Sequence, residues 1–317
     1  MDPVAPIDPV AAIIIPHLND AVRLRRCLGA LVEGLDPKVR PQVDIVVVDN
    51  GSDPPVDWVR TSFPGVRLMT EPQKGAAHAR NRGMAETSAP MVWFLDADCV
   101  PAPGWAAQAL RHDDPDQIVV GPVTMFDETG GTRTGAQAFE HIFAFDTKAY
   151  AKKGFGVTAN LITSRTLFDR AGPFRDGVPE DKEWCQRARA AGGQIIYDPQ
   201  LVMQHPTRAD WPALRAKWRR LVTEEWGVHQ AAQKSLWRWR LRAVLVALSG
   251  PAHVPKVALA RGLGPAEKAR AAATLLKLRF YRSAWMLNHA LNLPQNPFYV
   301  NKATNNQPPN PPQTDRA

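Results

Sequence analysis

Residues 44–53 read Asp-Ile-Val-Val-Val-Asp-Asn-Gly-Ser-Asp. Four consecutive apolar residues, Ile45–Val48, put hydrophobic side chains on both faces of a strand, so both faces need cover; this is the pattern of a parallel sheet with helices on each side. The string that follows is rich in turn formers, and Gly51 can take a positive φ. Around this stretch, further strands are predicted at Ala12–Ile15, Val66–Met69, Met91–Leu95 and Ile118–Gly121, with helices at 20–33, 55–62, 75–87 and 104–111 between them. The alternation predicts βαβ units and a mostly parallel sheet. In such sheets ligands bind beyond the carboxyl ends of strands, where Asp49, Asp96 and Asp98 all fall. In an extended strand Asp96 and Asp98 project to one side and Ala97 to the other. A carboxylate beside the apolar run Met91–Leu95 is costly to bury unless it is paired or holds a metal, and two on one side can face one divalent cation.

The second half is less regular. Thr132–Phe145 is expected to be a helix contributing Phe139, Ile142, Phe143 and Phe145, and Val157–Thr163 a strand. Ser164 caps a short helix that Gly172-Pro173 ends. From Glu180 to Ala191, Trp184, Ala188 and Ala191 share one helical face, which puts Asp181 in the first turn at the rim of a cleft. Gln194–Asp198 reads as a strand. Everything from Trp211 to Leu293 reads as helical, residues 1–10 as flexible and the Pro- and Asn-rich stretch 294–317 as disordered.

The 317-residue chain, 44% apolar, is long enough for a full core. Cys27, Cys99 and Cys185 are odd in number and far apart, which indicates neither a disulfide framework nor a cysteine zinc site and suits a reducing cytoplasm. Neither a signal peptide nor an apolar run near the ~20 residues of a membrane span is expected. Of the formal charge of +8, residues 211–290 carry 15 Lys and Arg against 3 Asp and Glu, so the remainder is slightly acidic. Solvated helix faces, packing on the core or an anionic membrane could each account for such a segment, with Trp218, Trp226, Trp237, Trp239 and Trp285 among the arginines. Nucleic acid is not expected, because no recognition motif accompanies the charge.

The order IIIPHLND, DIVVVDNGSD, KGAAHARNRGM, FLDAD, PEDKEW with Arg187, then YDP and VMQH resembles family 2 glycosyltransferases of the GT-A fold over residues 11–220. The resemblance implies a GT-A domain at 11–210, with a mostly parallel sheet flanked by helices, and a basic, Trp-rich helical extension at 211–293. It further implies an inverting transfer from a nucleoside-diphosphate sugar (UDP-, GDP- or dTDP-linked) to an acceptor hydroxyl; if the basic, Trp-rich segment makes peripheral contact with an anionic membrane from the cytoplasmic side, the acceptor is a glycan or lipid-linked glycan there.

By the same resemblance the turn of Pro16, His17 and Asn19 lies against the nucleotide base, although the family more often has Tyr there. Asp49 with Gly51 receives uracil or ribose, Lys74, Gly75, Arg80 and Asn81 face the nucleotide, and Asp96 contacts the ribose or the metal shell. Asp98 ligates Mg²⁺ or Mn²⁺, with His205 as a third metal or phosphate contact. Asp181 is the general base, Glu180 orients it or the acceptor, and Asn160 and Trp184 line the acceptor side. Glu183 stands where the family more often has Asp. The segment RAKWRRL shares residue types, but not order, with the Gln-x-x-Arg-Trp element of processive synthases, which argues against a polymer-extruding enzyme.

Other classes fit less well. Neither the Gly-x-Gly-x-x-Gly of dinucleotide enzymes nor a P-loop is present. A sugar nucleotidyltransferase would need a Gly-rich basic loop near the N-terminus. A non-catalytic sugar-nucleotide-binding scaffold would lack a metal acid or base, and both Asp98 and Asp181 are present.

Overall fold

The computed structural model describes residues 9–291, so the segment 1–8 and the tail 292–317, with its expected disorder, lie outside the described residues. Val10, expected within the flexible start, is already tied by its amide to the Gln42 carbonyl at 2.8 Å. Strands and helices alternate through β1 (Ala11–His17), α1 (Ala21–Gly34), β2 (Val43–Asp49), α2 (Trp58–Ser62), β3 (Val66–Thr70), α3 (Ala76–Ala85) and β4 (Met91–Phe94). There follow β5 (Val100–Pro101), α4 (Trp105–Ala109), β6 (Gln117–Val120), β7 (Val123–Phe126), α5 (Gly135–Phe143) and α6 (Thr147–Lys152). Next come β8 (Leu161–Ser164), α7 (Arg165–Ala171), α8 (Glu180–Ala190), β9 (Gln194–Tyr197) and β10 (Met203–Pro206). Three long helices complete the described chain: α9 (Trp211–Ala231), α10 (Leu236–Ala258) and α11 (Pro265–Ala290).

The main sheet has seven strands in the order β3-β2-β1-β4-β8-β6-β9. Its first four strands are mutually parallel, and β8 runs antiparallel to both β4 and β6. Side chains of β2 divide as its apolar run requires. Ile45 and Val47 join the core with Leu24, Leu28 and Leu31 of α1, while Val46 and Val48 pack on the other side with Ala79 of α3.

A three-stranded sheet, β5-β10-β7, stands beside the main one. Strand β10 pairs antiparallel with β5, Gln204 opposite Val100, and parallel with β7. The predicted strand at Val157–Thr163 begins instead as a 3-10 turn at Thr158–Asn160.

The expected single helical stretch from Trp211 is three helices, interrupted at residues 232–235 and 259–264. Trp239 Nε1 donates to the Met286 carbonyl at 2.8 Å, and Gly250 faces Leu276, so α10 and α11 run antiparallel. Helix α5 joins this layer to the rest through Phe139 and Ala138, packed with Leu214, Val257, Leu275 and Leu278. Buried Glu140 on the same helix receives Nη1 of Arg208 at 2.9 Å and Nζ of Lys217 at 3.0 Å. Burial alone would raise its pKa, but Lys217 and Arg208 outweigh burial and hold it below the usual carboxylate range. Of the five tryptophans singled out in the basic segment, Trp226 and Trp239 are buried and Trp218 and Trp285 half-buried; Trp237 is exposed.

The junction of the two sheets leaves no room for a side chain at Gly121: a Cβ there would lie 1.9 Å from the Leu201 carbonyl oxygen. That oxygen also receives Asn160 Nδ2 at 2.7 Å. Gly121→Ala is therefore expected to lower stability by about 1–3 kcal/mol or more, as overpacking against backbone does. A urea unfolding midpoint equal to that of the parent chain would contradict this close approach.

Candidate active site

The parallel strands β1, β2 and β4 deliver their carboxyl ends to one edge of the sheet, and the candidate residues gather there in three groups. In the first, the register that places His17 opposite Asp49 brings their side chains within 3.2 Å. His17 Nε2 accepts from the Asp20 amide at 3.1 Å, which leaves the proton on Nδ1, facing Asp49 and Ser52. Ser52 also donates to Asp49 through its hydroxyl and its amide. Asp20, not Asn19, caps α1, accepting from the Arg23 amide. Asn19 takes a left-handed φ of 54° and its carbonyl side chain receives the Asp53 amide at 2.8 Å. Pro16 is half-buried, paired opposite Val48.

The second group is the lip formed by the loop after β3. Lys74 Nζ donates to the carbonyls of Asn50 and Gly51 at 3.0 and 2.8 Å, and Gly51 has φ +81°. The Asn50 amide nitrogen donates to the Glu71 and Gln73 carbonyls, and its oxygen receives the Gly75 amide at 2.7 Å. Gly75 has φ +133°, a conformation that other residues rarely adopt. Asn81 exchanges two 2.9 Å hydrogen bonds with the backbone of Phe174 and so fixes the loop ahead of α8.

Arg80 belongs to both the second and third groups. Its buried guanidinium gives Nη2 to Asp96 at 2.7 Å and Nη1 to Glu180 at 2.9 Å. Burial works against its charge, but Asp96 and Glu180 outweigh burial and raise its pKa further. The guanidinium is thus a permanent cation between the end of β4 and the start of α8.

The third group carries the acids. Asp98 Oδ2 lies 3.3 Å from Nε2 of His205, which β10 brings in beside β5. His205 Nδ1 donates to the Pro206 carbonyl at 2.7 Å, leaving the Nε2 lone pair directed at Asp98. Burial pushes the Asp98 carboxyl up and Asp96 adds to it, while the more distant Arg208 and Arg23 pull it down; His205 would oppose burial only with a proton on both ring nitrogens. Asp96, Asp98 and Cys99 offer ligand atoms within 4.8 Å of one another. Burial raises the Cys99 thiol well above its ordinary range, so it stays protonated and is no ligand for a hard cation. The Asp96 and Asp98 carboxylates lie close enough to share a divalent cation that also keeps water or phosphate oxygens, and His205 adds a nitrogen donor beside Asp98.

Asp181 sits in the first turn of α8, half-buried, with its own Oδ1 accepting from the Lys182 amide at 2.7 Å. Burial and the neighbouring Glu180 carboxylate push its pKa up to about 7, against the pull of the Lys182 amide and Arg80. A carboxyl group with such a pKa can accept a proton near neutral pH.

Two expected acceptor-side residues are core residues instead. Trp184 is fully buried, stacked on Phe168 and tilted against Phe174 at centroid distances of 5.7 and 5.4 Å, with Nε1 donating to the Gly172 carbonyl. Asn160 is also fully buried, receiving Trp105 Nε1 at 2.9 Å and donating to the Leu201 carbonyl. Neither can touch a substrate, because every polar group of theirs is spent on holding loops together. Three residues not singled out by their sequence context act at the site. Ser52 braces Asp49, and Arg23, held by Asp20 and Glu128, acts together with Arg208 on Asp98. Of these, only Arg208 had a signal in the sequence: Glu140, an acid within an apolar helix face, needs cationic partners when buried.

The family model of Glycosyl transferase family 2 matches residues 12–172, just over half the chain. Glycosyltransferase AglE of Haloferax volcanii is 27% identical over 221 residues, 67% of this chain and 71% of that protein. The pre-mycofactocin glycosyltransferase of Mycobacterium tuberculosis is 28% identical over 226 residues, 64% of this chain but only 45% of its own length. Among solved structures, the mannosyltransferase PcManGT from Pyrobaculum calidifontis, in complex with GDP-Man and Mn²⁺, aligns with a TM-score of 0.51 and 20% identity. The alignment covers 93% of this chain and 79% of that one. GalNAc-T7 with UDP, GalNAc and Mn²⁺ gives the same TM-score at 14% identity, over 88% of this chain and 57% of that one. These likenesses confirm the α/β GT-A fold, and with a family model that spans both nucleotide-side acids and the acidic pair after β4, the chain belongs to glycosyl transferase family 2.

Proposed function

We propose that this glycosyltransferase is an inverting enzyme, moving a sugar from a nucleoside diphosphate to an acceptor hydroxyl of a glycan or lipid-linked glycan. The observation that carries the reading is the placement of Asp181, a carboxylate with its pKa near 7, joined through Glu180 and Arg80 to the acids at the end of β4. Residues 11–210 form the transferase unit, and α9–α11 form a helical layer that supports it. The three buried free cysteines suit a reducing, cytoplasmic compartment.

Asp49 already accepts from His17 and from Ser52, and a carboxylate has about four lone-pair sites, so capacity for one more donor remains. That remaining acceptor site suits an N–H of a base or a ribose hydroxyl. A uridine, guanosine or thymidine diphosphate sugar all offer such a donor. Asp96, held by Arg80, faces the ribose side, while Asp98 and His205 would hold Mg²⁺ or Mn²⁺ against the diphosphate. When bound, such a cation neutralises the charge that grows on the departing diphosphate. Arg208 and Arg23 add positive potential on the same side of Asp98. Opposite, Asp181 takes the acceptor proton as the acceptor oxygen bonds to the anomeric carbon and the bond to the diphosphate oxygen breaks, its electron pair leaving with the nucleotide. Attack from the face opposite the leaving group inverts the anomeric configuration.

Asp98→Ala is expected to abolish the manganese dependence of nucleotide binding in isothermal titration, with UDP and GDP as probes; binding that neither EDTA nor this change affects would remove the cation from the site. Asp181→Asn should keep nucleotide affinity and lose transfer by roughly 10²–10⁴-fold, the usual contribution of a positioned base. Because the deprotonated carboxylate is the active form and its pKa lies near 7, kcat/KM should rise with pH through about 7 and level off above it. A flat profile between pH 5 and 9, measured by nucleotide release, would assign the proton to another group.

A further inference from the structure

Helix α10 is apolar on two sides. One side, with Trp239, Ala243, Gly250 and Val257, is buried against the neighbouring helices. The opposite side faces outward, and a surface helix normally presents charge there. Instead Trp237, Leu241, Val244, Leu245 and Leu248 follow one another at spacings of three, four and one, a continuous outward stripe. Trp237, Leu245 and Leu248 are 59, 56 and 66% exposed. Leu276 and Phe280 of α11 are exposed as well, but Leu276 packs against Gly250 on the inward side of α10, so the outward stripe belongs to α10 alone. Single exposed leucines need no explanation, but a contiguous patch of this kind marks an interaction surface.

Charge selects the occupant. Exposed Arg238, Arg240, Lys256, Arg261 and Lys277 lie in the same two helices and their connection, within the segment that carries 15 cations against 3 acids. A second copy of this face would bring like charges together, whereas an anionic surface complements them. Among the described residues no helix is long and apolar enough to cross a membrane, so the fit is to a helix lying in the plane of the interface. We propose that the outward face of α10 docks this protein on an anionic phospholipid bilayer. In that pose the helical layer stands beside the acceptor side of the site. Gly227 of α9 approaches the Gly177 carbonyl in the loop ahead of α8, and Glu224 feels the charge of Glu180. The inference rests on this surface and not on the transfer chemistry.

The full chain is floated with phosphatidylcholine vesicles, with and without phosphatidylglycerol. It should rise with the anionic vesicles at low salt, bind the neutral ones about tenfold or more weaker, and lose binding as salt screens the charges. The double variant Leu245→Glu/Leu248→Glu alters only exposed side chains. It should keep its circular dichroism spectrum and its nucleotide release toward soluble acceptors, while its partition onto anionic vesicles falls by roughly tenfold or more. No flotation with anionic vesicles, or equal flotation of the variant, would overturn the proposal. A parent chain that is dimeric and does not float, with a monomeric variant, would assign the face to self-association instead.

Discussion

A single buried guanidinium sets the geometry on which the site depends. Arg80 joins a carboxylate at the end of β4 to one at the start of α8, Asp96 and Glu180, which are far apart along the chain. A charge in a protein interior is tolerated only when paired and hydrogen-bonded, and here both partners are themselves acids that would repel one another without it. The pairing fixes the distance between the strand end that carries Asp96 and Asp98 and the helix turn that carries Asp181. It also leaves Asp181 beside Glu180 in a partly dry environment, which is the cause of its elevated pKa.

The geometry around Asp98 has a separate origin, the small sheet. Strand β5 starts two residues after Asp98 and pairs with β10, so the backbone ladder itself carries His205 to Asp98. The Pro206 carbonyl then fixes the ring so that Nε2, not Nδ1, faces the acid. Acid and imidazole are thus oriented before any ligand arrives, which lowers the reorganisation needed on binding. The base of the site is braced in the same manner: His17, Ser52 and Asp49 hold one another, and Lys74 and Asn50 hold the lip against the turn at Gly51.

The four parallel strands were legible because apolar runs flanked by turn residues leave few alternatives, and the two-faced burial of β2 matches its uninterrupted apolar run. The direction of β8 was not legible, since alternation of side chains is the same for a strand run either way. Nor were β5, β7 and β10, which are two to four residues long and too short to show a period. Trp184 and Asn160 illustrate a second kind of failure. A polar or aromatic residue next to a motif can serve the site or the core, and only the surrounding packing separates the two.

The chain by itself determined which residues must be at strand ends, because burying Asp49, Asp96 and Asp98 beside apolar runs is unfavourable anywhere else, and it determined that the C-terminal region is helical and basic. Tertiary structure alone decided which acids are paired with which cations, that of the six tryptophans in that region only Trp237 is exposed, and that an apolar stripe of α10 turns outward. The reason is one of range. Hydrophobic periodicity and turn chemistry act over a few residues and are written in order along the chain. Salt bridges such as Arg80 to Glu180 and contacts such as Asp98 to His205 join residues about a hundred apart, and their distances follow from how whole elements pack.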